Sequence, residues 1–164
     1  MPLSQSLLPE FDQEMANTRR VLERIAEDQI GWKPHDKSMS LGRLATHVAE
    51  LPGWANVFLN SEFLDLAAMD YKPHVASSRQ ELLELFDSKV AESRAAIQAT
   101  EDPAFLEPWT LRKGDHVIFT LPRVAVMRSM LLNHLIHHRG QLTVYLRLTG
   151  IPVPGLYGPS ADEQ

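Results

Sequence analysis

Residues 120–149 form one run in which apolar side chains recur at three- and four-residue steps, and two of the inward positions are histidines. Thr120-Leu121-Pro122 opens the run with proline where a first helical turn favours it, and Gly150 followed by Pro152 stops it. A helix of that length must bury a long face, so the chain has to supply other helices to cover it. Within the run, His134 and His138 stand four apart. Positions i and i+4 share a helix face, with Cβ atoms about 5–6 Å apart. Met127, Leu131, Leu142 and Tyr145 lie on the same face, so both imidazoles are expected inside.

Three further helical segments meet that demand. The first covers residues 2–28, with Leu7, Phe11, Met15, Leu22 and Ile25 at helical steps, and Gly31-Trp32-Lys33-Pro34 ends it. The second starts after Ser38 or Ser40, either of which can cap, and runs to residue 60 with Leu44, His47, Leu51, Trp54 and Phe58 as its inner stripe. Pro52 is expected to kink or interrupt it. The third opens at Ser78, which forms a capping-box pattern with Glu81, and carries Leu82, Leu83, Phe86, Val90 and Ile97 towards residue 100. Residues 61–77 and 101–119 are long connectors for a simple up-and-down arrangement. In the latter, Trp109-Thr110-Leu111-Arg112 and His116-Val117-Ile118-Phe119 flank Lys113-Gly114-Asp115, which suits a small hairpin. The expected fold class is all-α: one domain over residues 1–164, a four-helix bundle with long crossover connections.

Composition removes several functions. With 16 basic and 21 acidic residues the formal charge is −5, and no basic cluster stands out, so no nucleic-acid partner is expected. The absence of cysteine excludes disulfides, thiolate ligands and a cysteine nucleophile. Residues 1–11 lack the basic start and apolar run of a signal peptide, and no stretch approaches the roughly 20 apolar residues of a membrane span. A cytoplasmic protein without a membrane partner is the expectation. No Ser-His-Asp arrangement, phosphate loop or dinucleotide fingerprint appears.

The histidines therefore carry the chemistry. His35, His74 and His116 fall in connectors and read as solvated, and His137, about 100° around the helix from His138, reads as a bundle-edge residue. His134 and His138 on an apolar face need partners, because an unsatisfied buried polar group costs about 1–3 kcal/mol. Backbone or water can provide them, in which case the pair is structural. With His47, which sits among apolar neighbours on a separate helix, the pair instead makes an all-imidazole site for zinc, nickel or another divalent metal. Three neutral ligands leave coordination positions for water or substrate, the pattern of a catalytic rather than a closed structural site. Gln141 and Tyr145 can reach such a site as hydrogen-bonding groups, and Glu50 either orients His47 or faces solvent. Trp54, Phe58 and the 105–119 connector, with Trp109 and Phe119, are expected to line a pocket over the metal or else to plug the core.

Gly140 lies about 200° from His138, on a back face with Leu132, Ile136 and Val144. A glycine there costs about 1 kcal/mol relative to alanine. Another helix of the chain, or the same helix of a second copy, is expected to cover that row.

Leu44-Ala45-Thr46-His47-Val48-Ala49-Glu50, residues 133–146 and the tail Pro154-Gly155-Leu156-Tyr157-Gly158-Pro159-Ser160-Ala161-Asp162 resemble the DinB and YfiT-like family of helical metalloproteins, most specifically in His137-His138-Arg139-Gly140-Gln141. The resemblance implies a four-helix bundle of up-down-down-up topology, usually a homodimer. It also implies one divalent metal on three histidines, which map to His47, His134 and His138. Some relatives take low-molecular-weight thiols as cosubstrates, so the resemblance implies a metal-dependent transferase, with hydrolysis next, acting on a small-molecule substrate. No residue is singled out as a general base. The alternative is a non-catalytic stress-response protein that binds metal or a small ligand.

Overall fold

The computed structural model describes residues 1–70 and 72–163. Its elements run α1 (Leu3–Leu22), α2 (Leu41–Glu50), α3 (Trp54–Asn60), β1 (Phe63–Asp65), α4 (Arg79–Ala99), α5 (Asp102–Leu106), β2 (Pro108–Lys113), β3 (His116–Pro122), α6 (Arg123–Val126) and α7 (His134–Leu148). A π-helical stretch, Met127–Asn133, joins α6 to α7 without a break. The protein is thus mostly helical with a small three-stranded sheet, not all-α. No helix among the described residues is long and apolar enough to cross a membrane.

Local chemistry explains most boundaries. Ser40 Oγ accepts the Arg43 amide and caps α2, and Ser78 Oγ accepts the Glu81 amide and caps α4. Pro52 turns the second segment through a single 3-10 turn, Leu51–Gly53, before α3 resumes. The first segment stops at Leu22 rather than residue 28, and Glu27–Gln29 is a separate 3-10 turn.

The sheet corrects the expectation most. Lys113 and His116 pair across Gly114, whose φ of +58° suits a residue without Cβ. The antiparallel β2–β3 ladder then extends as far as Pro108 opposite Pro122, with an irregularity at Leu111/Arg112. Residues 120–122 are therefore strand, and the last long helix starts at Arg123. Pro122 closes an edge strand, where its missing N–H breaks no ladder. β1 adds in parallel on the other side of β2, Phe63 opposite Thr110. Trp109 fixes the sheet to α3: its ring meets Phe58 edge-on at 4.9 Å and its Nε1 donates to Ser61 Oγ at 3.1 Å.

Helix α1 packs on α4 and α7, and α2 packs on the same two helices. Leu7, Phe11, Leu22, Leu44, Leu51, Phe86, Ile97, Leu131, Leu135, Leu142 and Leu146 fill the space between them. Full burial of one such side chain contributes about 1.5–3 kcal/mol. Among these apolar groups stands Arg139, 1% exposed at its side chain, with Nη2 2.6 Å from Glu14 Oε2. Its Nη1 donates to Glu14 O and Thr18 Oγ1, while Tyr157 OH donates to the Glu14 carboxylate. The arginine next to His138 thereby ties α7 to α1 and to the C-terminal tail.

Candidate metal centre

His47 comes from α2, and His134 and His138 from the first turns of α7, immediately after the π-helical stretch. An added residue per turn rotates the helix downstream of it, and π segments recur at functional sites for that reason. Here it leaves Leu135, Arg139, Leu142 and Leu146 as the fully buried stripe of α7. His134 and His138 lie beside that stripe, half-buried and turned towards α2. The His47 ring stands 5.3 Å from that of His134 and 4.6 Å from that of His138. One nitrogen from each of the three lies within 4.8 Å of the others, a group that could hold a metal ion.

Hydrogen bonding tests that fit. A carbonyl oxygen only accepts, so His134 Nδ1 carries the proton it donates to Met130 O at 3.3 Å. His138 Nδ1 lies 2.7 Å from Gln141 Oε1 and, with the amide so oriented, also donates. Neutral imidazole holds one N–H. Both Nε2 atoms are then bare acceptors, and they face each other at 2.9 Å. Two lone pairs at that separation need a cation between or beside them. Imidazole nitrogens bound at about 2.0–2.1 Å to one ion would stand about 2.9–3.4 Å apart for angles between a right angle and tetrahedral. The His134–His138 pair thus has the spacing of two ligands on one ion, and His47 offers a third nitrogen within 4.8 Å.

Electrostatics keep the rings neutral. Burial pushes the His47 pKa down from the ordinary 6.5 to about 4, with lesser contributions from His138, His134 and Arg43. Burial also lowers His134 and His138, against the opposing effects of the Met130 carbonyl and of Gln141. Neutral imidazole is the form that ligates.

A cavity of about 940 Å³ adjoins the cluster through His47. Met39, Trp54, Val57, Leu66, Met69 and Pro73 give it apolar walls, and two ion pairs border it: Arg43 with Glu50, and Lys89 with Glu92. Its roof, the loop after β1, is pinned at several points. Asp65 Oδ1 accepts the Gly114 amide, Arg43 Nη1 donates to His74 O, and Thr46 Oγ1 accepts the Ala76 amide.

The sequence-derived positions fare unequally. Gln141 does reach the site, through His138. Glu50 pairs with Arg43 at 3.1 Å and lines the cavity. Tyr145 instead packs edge-on against Trp32 at 5.4 Å and donates to Met39 O. Trp54 lines the cavity, whereas Phe58 and Trp109 are buried and, with Phe119, link α3 to the sheet. The 105–119 connector contributes no described lining residue; Leu66, Met69 and Pro73 do line the cavity. His137 is exposed, its ring edge-on to His138 at 4.9 Å. His35 and His116 are exposed as expected, but His74 has a partner, Glu81, at 2.8 Å. Sequence reasoning passed over Arg139, Arg43 and Lys89; the spacing Leu135-Arg139-Leu142-Leu146 was the available signal for the first.

Comparison with known proteins places the chain. A family model described as the DinB family matches residues 1–164. The uncharacterized protein YrdA of Bacillus subtilis (strain 168) is 28% identical over 159 residues, spanning 95% of this chain and 89% of that one. A DinB-like protein from Bacillus cereus ATCC 10987 superposes with a TM-score of 0.73 at 22% identity, covering 93% of this chain and 97% of that one. The DinB-like protein YjoA from Bacillus subtilis gives 0.70 at 19% identity, covering 97% and 99%. At those identities the likeness to the two structures is one of fold.

Proposed function

The chain belongs to the DinB family, and from that membership and the histidine geometry we propose a metal-dependent enzyme holding one divalent ion, zinc or nickel, on His47, His134 and His138. The observation that carries the proposal is the pair of bare Nε2 atoms at 2.9 Å, each ring having its Nδ1 committed elsewhere. When bound, such an ion supplies Lewis acidity towards a thiol or a water. The residues of the chain do the rest. Met130 O and Gln141 Oε1 fix the tautomer and tilt of two ligands. Arg43 holds the roof loop against α2 through His74 O. The apolar walls give the side of the cluster that His47 faces a surface suited to organic groups.

We assign the reaction to thiol-dependent transfer, with a low-molecular-weight thiol as cosubstrate, and hydrolysis as the second choice. The wide cavity beside His47 supports an enzyme over a closed, non-catalytic metal-binding protein. The test is thiol consumption by the metal-loaded protein against a panel of small electrophiles, compared with chelator-treated protein. Consumption that chelation abolishes and metal restores supports transfer. Hydrolysis of activated esters without thiol loss would favour the second choice, and neither activity would favour the binding protein.

The same proposal takes residues 1–164 as one domain, with α1, the α2–α3 segment, α4 and the α6–α7 segment forming an up-down-down-up bundle. It also includes a homodimer. On the outer side of α7, Leu132 is buried within the chain and Ile136 half-buried, but Val144 and Leu148 are 55% and 60% exposed. Nothing lies within 4 Å of a Cβ built on Gly140. The first helix therefore does not cover this end of the row, and a second copy of α7 is the proposed cover.

A further inference from the structure

The cavity beside His47 has a chemical character of its own. Its volume of about 940 Å³ is at the upper end of the roughly 300–1,000 Å³ that small-molecule sites occupy. Met39, Val57, Leu66, Met69 and Pro73 present aliphatic and thioether surface, and Trp54 adds an aromatic wall backed by Phe58 at 6.0 Å. The four charges among the described lining residues are two opposed pairs. Arg43 Nη2 stands 3.1 Å from Glu50 Oε2, and Lys89 Nζ stands 3.0 Å from Glu92 Oε2. Lys89 is held along the wall by its stem: a Cβ built on Gly53 would come within 2.8 Å of Lys89 Cδ. Two cations and two anions sum to zero, and each is spent on its neighbour.

We propose that this cavity is the binding site for an uncharged, largely apolar organic molecule carrying a flat ring that lies along Trp54. The proposal rests on the site assignment above, since it supplies the organic substrate of that site. An anionic ligand would have to take Arg43 from Glu50, a partly buried pair, leaving that carboxylate without its cation beside apolar walls, whereas the Lys89–Glu92 pair at the rim is open to solvent and opposes it less. A cationic ligand would face the reverse exchange. A neutral ring system leaves both pairs intact and removes only apolar surface from water.

Two fluorescent probes of matched skeleton test this with the full-length protein: N-phenyl-1-naphthylamine, which is neutral, and 1-anilinonaphthalene-8-sulfonate, which carries one negative charge. Both are titrated into metal-loaded and chelator-treated protein. In chelator-treated protein, where no ion's charge draws the sulfonate, the neutral probe is expected to bind about tenfold or more tightly than the sulfonate. Val57→Trp intrudes into the space beside Trp54 and should weaken the neutral probe about tenfold. Leu66→Glu, at a position already 41% exposed and so compatible with folding, puts an unpaired charge at the roof and should weaken it likewise. Glu92→Gln releases Lys89 and should shift the preference several-fold towards the sulfonate. Tighter binding of the sulfonate by the unaltered, chelator-treated protein, or neutral-probe binding that Leu66→Glu leaves unchanged, overturns the proposal. Because the readout does not need the metal, loss of metal binding and loss of this cavity's selectivity are separate results.

Discussion

Arg139 and Glu14 form an ion pair in which the two side chains are 1% and 9% exposed, with Nη2 2.6 Å from Oε2. Removing one partner strands a charge in the core, which typically costs about 3–5 kcal/mol. Arg139→Met is accordingly expected to lower unfolding stability by about that much in urea. Glu14→Gln keeps an acceptor for Arg139 and Tyr157 but strands a guanidinium that cannot shed its charge, so it should cost at least as much. Equal, small effects from both would mean that the pair does not anchor α7.

The acid side of stability should report the histidines. Unfolded histidine takes up a proton near 6.5, whereas folded His47 does so only near 4, chiefly because it is buried. Between those values the unfolded chain binds more protons, so stability falls as pH drops through the window and the loss levels off below about 4. His134 and His138 are shifted the same way. Urea unfolding of metal-free protein at several pH values between 4 and 7 should show this slope, and His47→Gln should flatten it. A wild-type profile with no slope in that window contradicts the burial of the cluster.

Gln141 is exposed, yet its amide oxygen receives His138 Nδ1 at 2.7 Å. Loss of such an orienting partner usually weakens metal binding about 10–100-fold. Gln141→Ala should do so with little change in unfolding of the metal-free protein. Competition with a chelating dye measures it, and unchanged affinity would remove Gln141 from the site.

Gly140→Leu separates the chain's own packing from assembly. A side chain there meets nothing within the chain, so the monomer should keep or gain stability from the better helix former. Light scattering is expected to show a dimer for the wild type and its weakening in the variant. An intact dimer would place the interface elsewhere.

The features legible in the sequence were local ones. Ser40, Ser78, Pro52 and the Lys113-Gly114-Asp115 turn act within a few residues, and each does what its chemistry indicates. His134 and His138 were legible for the same reason: i, i+4 spacing survives whatever packs around it. The unread parts depend on distant partners. β1 is three residues long and has no reason to be extended until Thr110 and Leu111 lie beside it. The π-helical stretch carries ordinary helix formers, so its rotation of α7 has no signature, and the face assigned to Leu142 and Tyr145 split in two. Arg139 looks like a solvent-facing cation until Glu14 and Tyr157 arrive from opposite ends of the chain. The segments that flank Leu66, Met69 and Pro73 in the cavity roof are held by Thr46 at Ala76, Arg43 at His74 and Gly114 at Asp65, none adjacent to them in sequence.

The central claim is that His47, His134 and His138 bind one divalent ion. The direct measurement is metal content by elemental analysis of protein reconstituted with zinc or nickel and then desalted, for the wild type and for His134→Ala/His138→Ala, with circular dichroism to confirm that both are folded. The expected result is one equivalent per chain for the wild type and almost none for the folded double variant. A double variant that keeps the full equivalent would contradict the claim.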